Sequence, residues 1–162
     1  MRVFFDAIRA LIYSAGFVLL WGYTALWVRR YDSSLGISLP TWLLIPGVLC
    51  IAIGAPIALA CVITFVVRGR GTPAPFDAPR QLVAVGPYRW VRNPMYLAGG
   101  LVIVGCAFSV RSVSVLLLAT AMWTAVHLFV RFYEEPTLRG KFNGSYENYY
   151  REVRRWLPRV PR

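Results

Sequence analysis

A chain of 162 residues that is 57% apolar, with a mean hydropathy of +0.53 and a net charge of +11, lies outside the range of an ordinary soluble domain. The basic charge argues against a nucleic-acid binder, because its arginines flank apolar runs and do not gather on one soluble face. Three cysteines inside those runs, with no C-x-x-C spacing, argue against a disulfide framework or a metal site and read as small buried hydrophobes.

Four apolar runs, Ala10–Val28, Trp42–Val67, Tyr96–Val110 and Ser112–Val130, contain no Asp, Glu, Lys or Arg. They predict an all-α integral membrane fold in one domain, residues 1–162, with about four transmembrane helices near 8–28, 42–67, 94–110 and 112–131. The first run is too long for a signal peptide. It ends in Trp27 and Val28, with Arg29 and Arg30 following, where small residues should precede cleavage, so it reads as a retained anchor. The second is longer than a span requires, and Pro56 inside it predicts a kink.

Glycine and proline then crowd Gly69–Pro79, predicting a looping crossing and not a helix. Gln81–Val85 is a short apolar lead into a polar signature, G-P-Y-R-W-V-R-N-P-M-Y, from Gly86 to Tyr96. Within it, Asn93-Pro94 reads as the N-cap and first residue of the third helix. After a turn at Arg111 and the fourth run comes a second signature, R-F-Y-E-E-P, from Arg131 to Pro136. Glu135-Pro136 predicts that the fourth helix ends there and a new one starts. Apolar residues at three- and four-residue intervals from Leu138 to Trp156 predict an amphipathic C-terminal region, 136–157, interrupted near Asn143-Gly144. It reads as an interfacial anchor or as a lid covering a cofactor pocket.

With an even number of spans, fifteen of the eighteen basic residues fall on one side, leaving Arg29, Arg30 and Arg111 on the other. The positive-inside bias places both termini, the central loop and the two signatures in the cytoplasm. The signatures therefore surface at one depth.

Their residue types suit binding. Arg89, Arg92 and Arg131 can hold a carboxylate or phosphate. Glu134 and Glu135 can accept from an ammonium or from ribose hydroxyls, and Tyr88 and Tyr96 offer ring faces to an adenine or a sulfonium. The N-terminus of the third helix adds a positive end. A zwitterionic ligand with an amino acid end and a nucleoside end satisfies all of these together. No G-x-G-x-x-G, Walker loop or Ser-His-Asp set is present, and the sole histidine, His127, reads as a core or interfacial side chain.

The two signatures, extended to R-F-Y-E-E-P-T-L-R-G-K-F-N-G-S-Y-E-N-Y and followed by R-W-L-P-R, make the chain similar to the integral-membrane methyltransferases. That family includes isoprenylcysteine carboxyl methyltransferases and phospholipid (phosphatidylethanolamine) N-methyltransferases. The resemblance covers about Gly69 to Arg159. It implies S-adenosylmethionine as methyl donor and S-adenosylhomocysteine as product. Arg92, Asn93, Pro94, Tyr96, Glu134 and Glu135 line the donor pocket by this analogy, with Tyr88 and Arg89 beside them. In the catalytic roles, Glu134 orients the donor and Arg131 holds the headgroup of a membrane lipid or lipidated acceptor. Asn93 stands where isoprenylcysteine enzymes usually carry histidine, and N-P-M-Y is closer to the phospholipid branch. The tail is closer to the isoprenylcysteine branch. The phospholipid branch's G-x-G has only Gly47 and Gly54 as loose counterparts. The subfamily stays open.

Three rivals stand beside this reading. A four-helix transporter for lipophilic cations lacks a membrane-embedded carboxylate here. An NADPH-dependent membrane reductase is usually much larger, and a non-catalytic membrane protein binds neither donor nor dinucleotide. Exposed apolar helices permit a homodimer.

Overall fold

The computed structural model describes residues 2–69 and 81–158, with side chains from Phe4 onward, so the Gly69–Pro79 crossing falls almost wholly outside the described residues. All regular structure among them is helical: α1 Arg2–Val28, a short α2 Asp32–Leu35, α3 Leu44–Thr64, α4 Pro94–Ser109, α5 Val113–Phe129 and α6 Glu135–Glu152. Three helical stretches are long and apolar enough to cross a membrane, Phe4–Leu35, Thr41–Gly69 and Val113–Glu152. The fourth apolar helix, α4, is only 16 residues long, about 24 Å at the usual rise. The fold is all-α and integral to the membrane, as the hydropathy pattern predicts.

α3 and α4 form the tightest pair, and three glycines explain why. A Cβ on Gly105 would lie 2.7 Å from the Gly47 carbonyl, and one on Gly47 would lie 2.9 Å from the Gly105 carbonyl. Gly54 meets the Ala98 carbonyl in the same way at 2.8 Å. Where lipid tails are as apolar as the helices, such close backbone approach supplies dispersion contact that bulkier residues would forbid. Gly47 and Gly54 are therefore spent on helix packing. α1 differs, with most of its apolar side chains exposed on the isolated chain.

Between α4 and α5 the chain reverses at Arg111, which adopts a left-handed conformation (φ 55°). Its strain is offset locally. Arg111 Nε donates to the Leu39 carbonyl at 2.7 Å and Nη2 donates to Ser38 Oγ at 3.2 Å. Ser112, fully buried, caps α5 by accepting from the Val115 N–H at 3.1 Å.

The predicted break at Glu135-Pro136 needs correcting. α5 passes through a π-helical turn, Val130–Glu134, directly into α6, giving one 40-residue helical stretch. The Glu135 N–H reaches back five residues to the Val130 carbonyl. This wider turn makes room for the Pro136 ring, which in a regular helix collides with the carbonyl four residues back. The interruption comes at Asn143 (φ 44°, ψ −127°), within the expected Asn143-Gly144. A second π turn, Phe65–Gly69, ends the α3 stretch.

Residues 82–84 are neither helix nor strand, yet they alternate like an extended chain. Val83 packs with Cys61 and Tyr88 against α3 and α4, while Leu82 and Ala84 face Tyr146, Tyr149 and Val153 of the C-terminal region. This segment is the wedge between the bundle and the tail. It carries the first signature to the place where the second arrives.

Candidate functional site

The first signature opens with a 3₁₀ turn, Gly86–Arg89, made possible by Gly86 at φ 62°. The turn buries Tyr88, whose ring meets Phe65 edge-on at 5.2 Å and whose carbonyl accepts from the Tyr149 hydroxyl at 2.8 Å. Tyr88 is thus a packing residue that fastens the tail. Arg89 and Trp90 point outward and are exposed. Asn93 takes the N-cap position of α4 and Pro94 the first helical position, but the Asn93 side chain makes no capping bond. Its Nδ2 turns instead to the Arg155 carbonyl, a long contact of 3.5 Å. The α4 N-terminus keeps its N–H groups uncapped by a side chain.

Arg92 and Glu135 meet at the centre. Arg92 Nη2 lies 3.2 Å from Glu135 Oε1, with side-chain exposures of 8% and 6%, so this is a desolvated ion pair. Arg155 takes the same carboxylate in two parallel bonds, Nε to Oε1 at 2.8 Å and Nη2 to Oε2 at 2.7 Å. The Arg92 guanidinium also stacks on the Tyr150 ring at 3.8 Å, and Arg139 covers that ring at 4.2 Å. Two donors of Arg92, Nε and Nη1, are buried with no hydrogen-bond partner.

Glu134 adds the complementary group. The Tyr96 hydroxyl donates to its carboxylate, while Glu134 Oε2 is buried without a partner. Buried polar atoms almost always find partners. Two donors and one acceptor of charged side chains are nonetheless left unpaired at this end of the bundle, against two serine hydroxyls, Ser109 and Ser114, at the other.

Of the residues singled out in the sequence, the structure joins Arg92, Asn93 and Glu135 through contacts, and links Tyr96 to Glu134. Pro94 is buried at the head of α4. Arg131 stands apart: it is exposed on the π turn, its guanidinium 5.5 Å from the Phe132 ring. Phe132 and Tyr133 beside it are also exposed.

Sequence reasoning assigned no role to Arg155 or Tyr150. The available signal was R-W-L-P-R, where an arginine–tryptophan pair closes the amphipathic pattern. Trp156 anchors that segment: its ring packs 4.7 Å from Trp123 and its Nε1–H donates to His127 Nδ1 at 3.1 Å. His127 is thus a half-buried hydrogen-bond acceptor. Among the described residues no cluster of His, Cys, Asp and Glu could hold a metal.

A family model described as phospholipid methyltransferase matches residues 42–145, which includes α3, both signatures and the first part of α6. No curated protein and no solved structure matches the chain.

Proposed function

The chain belongs to the phospholipid methyltransferase family, and we propose that it transfers a methyl group from S-adenosylmethionine to a membrane-embedded, lipid-like acceptor. The observation that carries the donor assignment is the unsatisfied set, Arg92 Nε and Nη1 with Glu134 Oε2. An amino acid end brings a carboxylate for the arginine and an ammonium for the glutamate, so the residues present fit the donor. When bound, S-adenosylmethionine supplies an electrophilic methyl on sulfur and leaves as a thioether.

The protein's own contribution is placement. Arg92 fixes a carboxylate, its guanidinium held in plane by the Tyr150 ring. Glu134, itself held by Tyr96, fixes the ammonium. The N–H groups of the first turn of α4, after Pro94 and uncapped by a side chain, add a positive end. Displacement at a methyl group gains mostly from such positioning of the two reactants. Arg131, with exposed Phe132 and Tyr133, is set to meet an acceptor headgroup lying in the membrane interface. The basic flanks put this end of the bundle, and both termini, in the cytoplasm.

Calorimetric titration in detergent tests the reading. Saturable binding of S-adenosylhomocysteine, with none for NADPH, is expected. Binding of NADPH alone would favour a reductase, and binding of neither would leave a non-catalytic protein. Incubating membranes with isotopically labelled donor should then yield a labelled lipid one methyl heavier.

A further inference from the structure

We propose that Arg155 is a positioning residue for the donor site: by occupying the Glu135 carboxylate it leaves Arg92 free to donate to the ligand. This rests on the donor reading of Arg92. Arg155 lies beyond the matched residues 42–145, and its role follows from three contacts.

The first is the division of one carboxylate between two arginines. Arg155 holds it with two short parallel bonds, whereas Arg92 touches it through Nη2 alone, at 3.2 Å. Paired guanidinium–carboxylate bonds are the stronger arrangement and are geometrically selective. A carboxylate so occupied makes little further demand on Arg92, whose Nε and Nη1 stay unspent. Without Arg155, Glu135 would keep Arg92 as its one described ion-pair partner, buried and short of hydrogen bonds. An unsatisfied buried charge is costly. The cheapest remedy is for Arg92 to turn toward Glu135 and give up a donor meant for the ligand.

The second contact is through the backbone. The Arg92 N–H donates to the Arg154 carbonyl at 2.9 Å, so the tail segment runs directly beside the arginine it serves. The third is the Trp156 anchor on Trp123 and His127, which fixes Arg155 from the other side. Arg155 thus acts on the donor through Glu135 and Arg92.

A purely structural role, tethering the tail, makes a different prediction. Tethering is lost with Arg155 whatever stands at 135. Electrostatic relief of Arg92 is restored if Glu135 is also neutralised, because nothing then draws Arg92 away.

The experiment is calorimetric titration of the full-length protein in detergent with S-adenosylhomocysteine. Arg155→Gln is expected to bind about tenfold more weakly than the parent, and Arg155→Gln/Glu135→Gln to return to within about threefold. Parent-like affinity in Arg155→Gln, or a double variant no tighter than the single, overturns the proposal while the donor reading survives. No binding by the parent removes both. Should Arg155→Gln fail a thermal melt, Arg155→Lys takes its place. Lysine keeps the charge without the paired geometry, so a loss of a few-fold, reversed by Glu135→Gln, is expected. Parent-like binding by Arg155→Lys overturns the proposal.

Discussion

Arg92 and Arg111 stand at opposite ends of α4, and their hydrogen bonds are opposite in kind. Arg111 spends Nε and Nη2 on Leu39 and Ser38, binding the loop after α2 to the α4–α5 turn. Nearby, Asp32 accepts from the Ser114 N–H at 2.9 Å, and Ser112 caps α5. That end is a local network that ties loop to turn, with only the Ser109 and Ser114 hydroxyls, among the described residues, buried and unpaired. Arg92 is more deeply buried, yet two of its donors have no partner, and Glu134 beside it has an orphaned oxygen. Burial raises the value of a satisfied polar network and the cost of an unsatisfied one. Unpaired atoms of charged groups cost more than unpaired hydroxyls, which is why we assign the ligand to the Arg92 end and the holding of the fold to the Arg111 end.

The contrast breaks most sharply at Arg92. Arg92→Ala should weaken S-adenosylhomocysteine binding by ~3 kcal/mol, about a hundredfold, the loss of two charge-assisted bonds. Arg111→Ala should leave that affinity within about twofold, since its bonds are internal. Equal losses in both variants, read by calorimetry, would erase the distinction.

Glu134 sharpens the contrast through charge. Glu134→Gln keeps the shape but loses the carboxylate that pairs with an ammonium, so S-adenosylhomocysteine should bind about tenfold more weakly. Parent-like affinity in that variant, read by calorimetry, would contradict the pairing.

The smallest effect belongs to the Arg111 end. Arg111→Ala should cost about 1 kcal/mol of stability, seen as a lower melting temperature in detergent. Its donors answer a carbonyl and a hydroxyl, not a charge, so this loss should depend little on salt.

The hydrophobic runs, the turn at Arg111 and the meeting of the two signatures were legible in the sequence because they depend on local composition and on the number of spans. The continuation through Pro136 was not. A π turn is a one-residue change of hydrogen-bond register, and hydropathy carries no trace of it. Tyr88 offered a ring to a ligand on paper, but packing against Phe65 and the Tyr149 hydroxyl claim it. Arg131 and Arg92 are the same residue type, one in each signature. Only the direction each takes from its own turn separates an exposed arginine from a buried one.

By itself the sequence determined the solvent this protein folds in, since charge-free runs of these lengths must lie in hydrocarbon and their arginine flanks at its edge. It also determined the chemistry at hand, a set of arginines, tyrosines and adjacent glutamates. The tertiary structure decided how that set is shared out. Arg155 is 63 residues from Arg92 along the chain, and the two arginines compete for one buried carboxylate only because the wedge at 82–84 and the Trp156 anchor bring the tail across the bundle. Which donors are left for a ligand follows from that competition, and no stretch of sequence contains both sides of it.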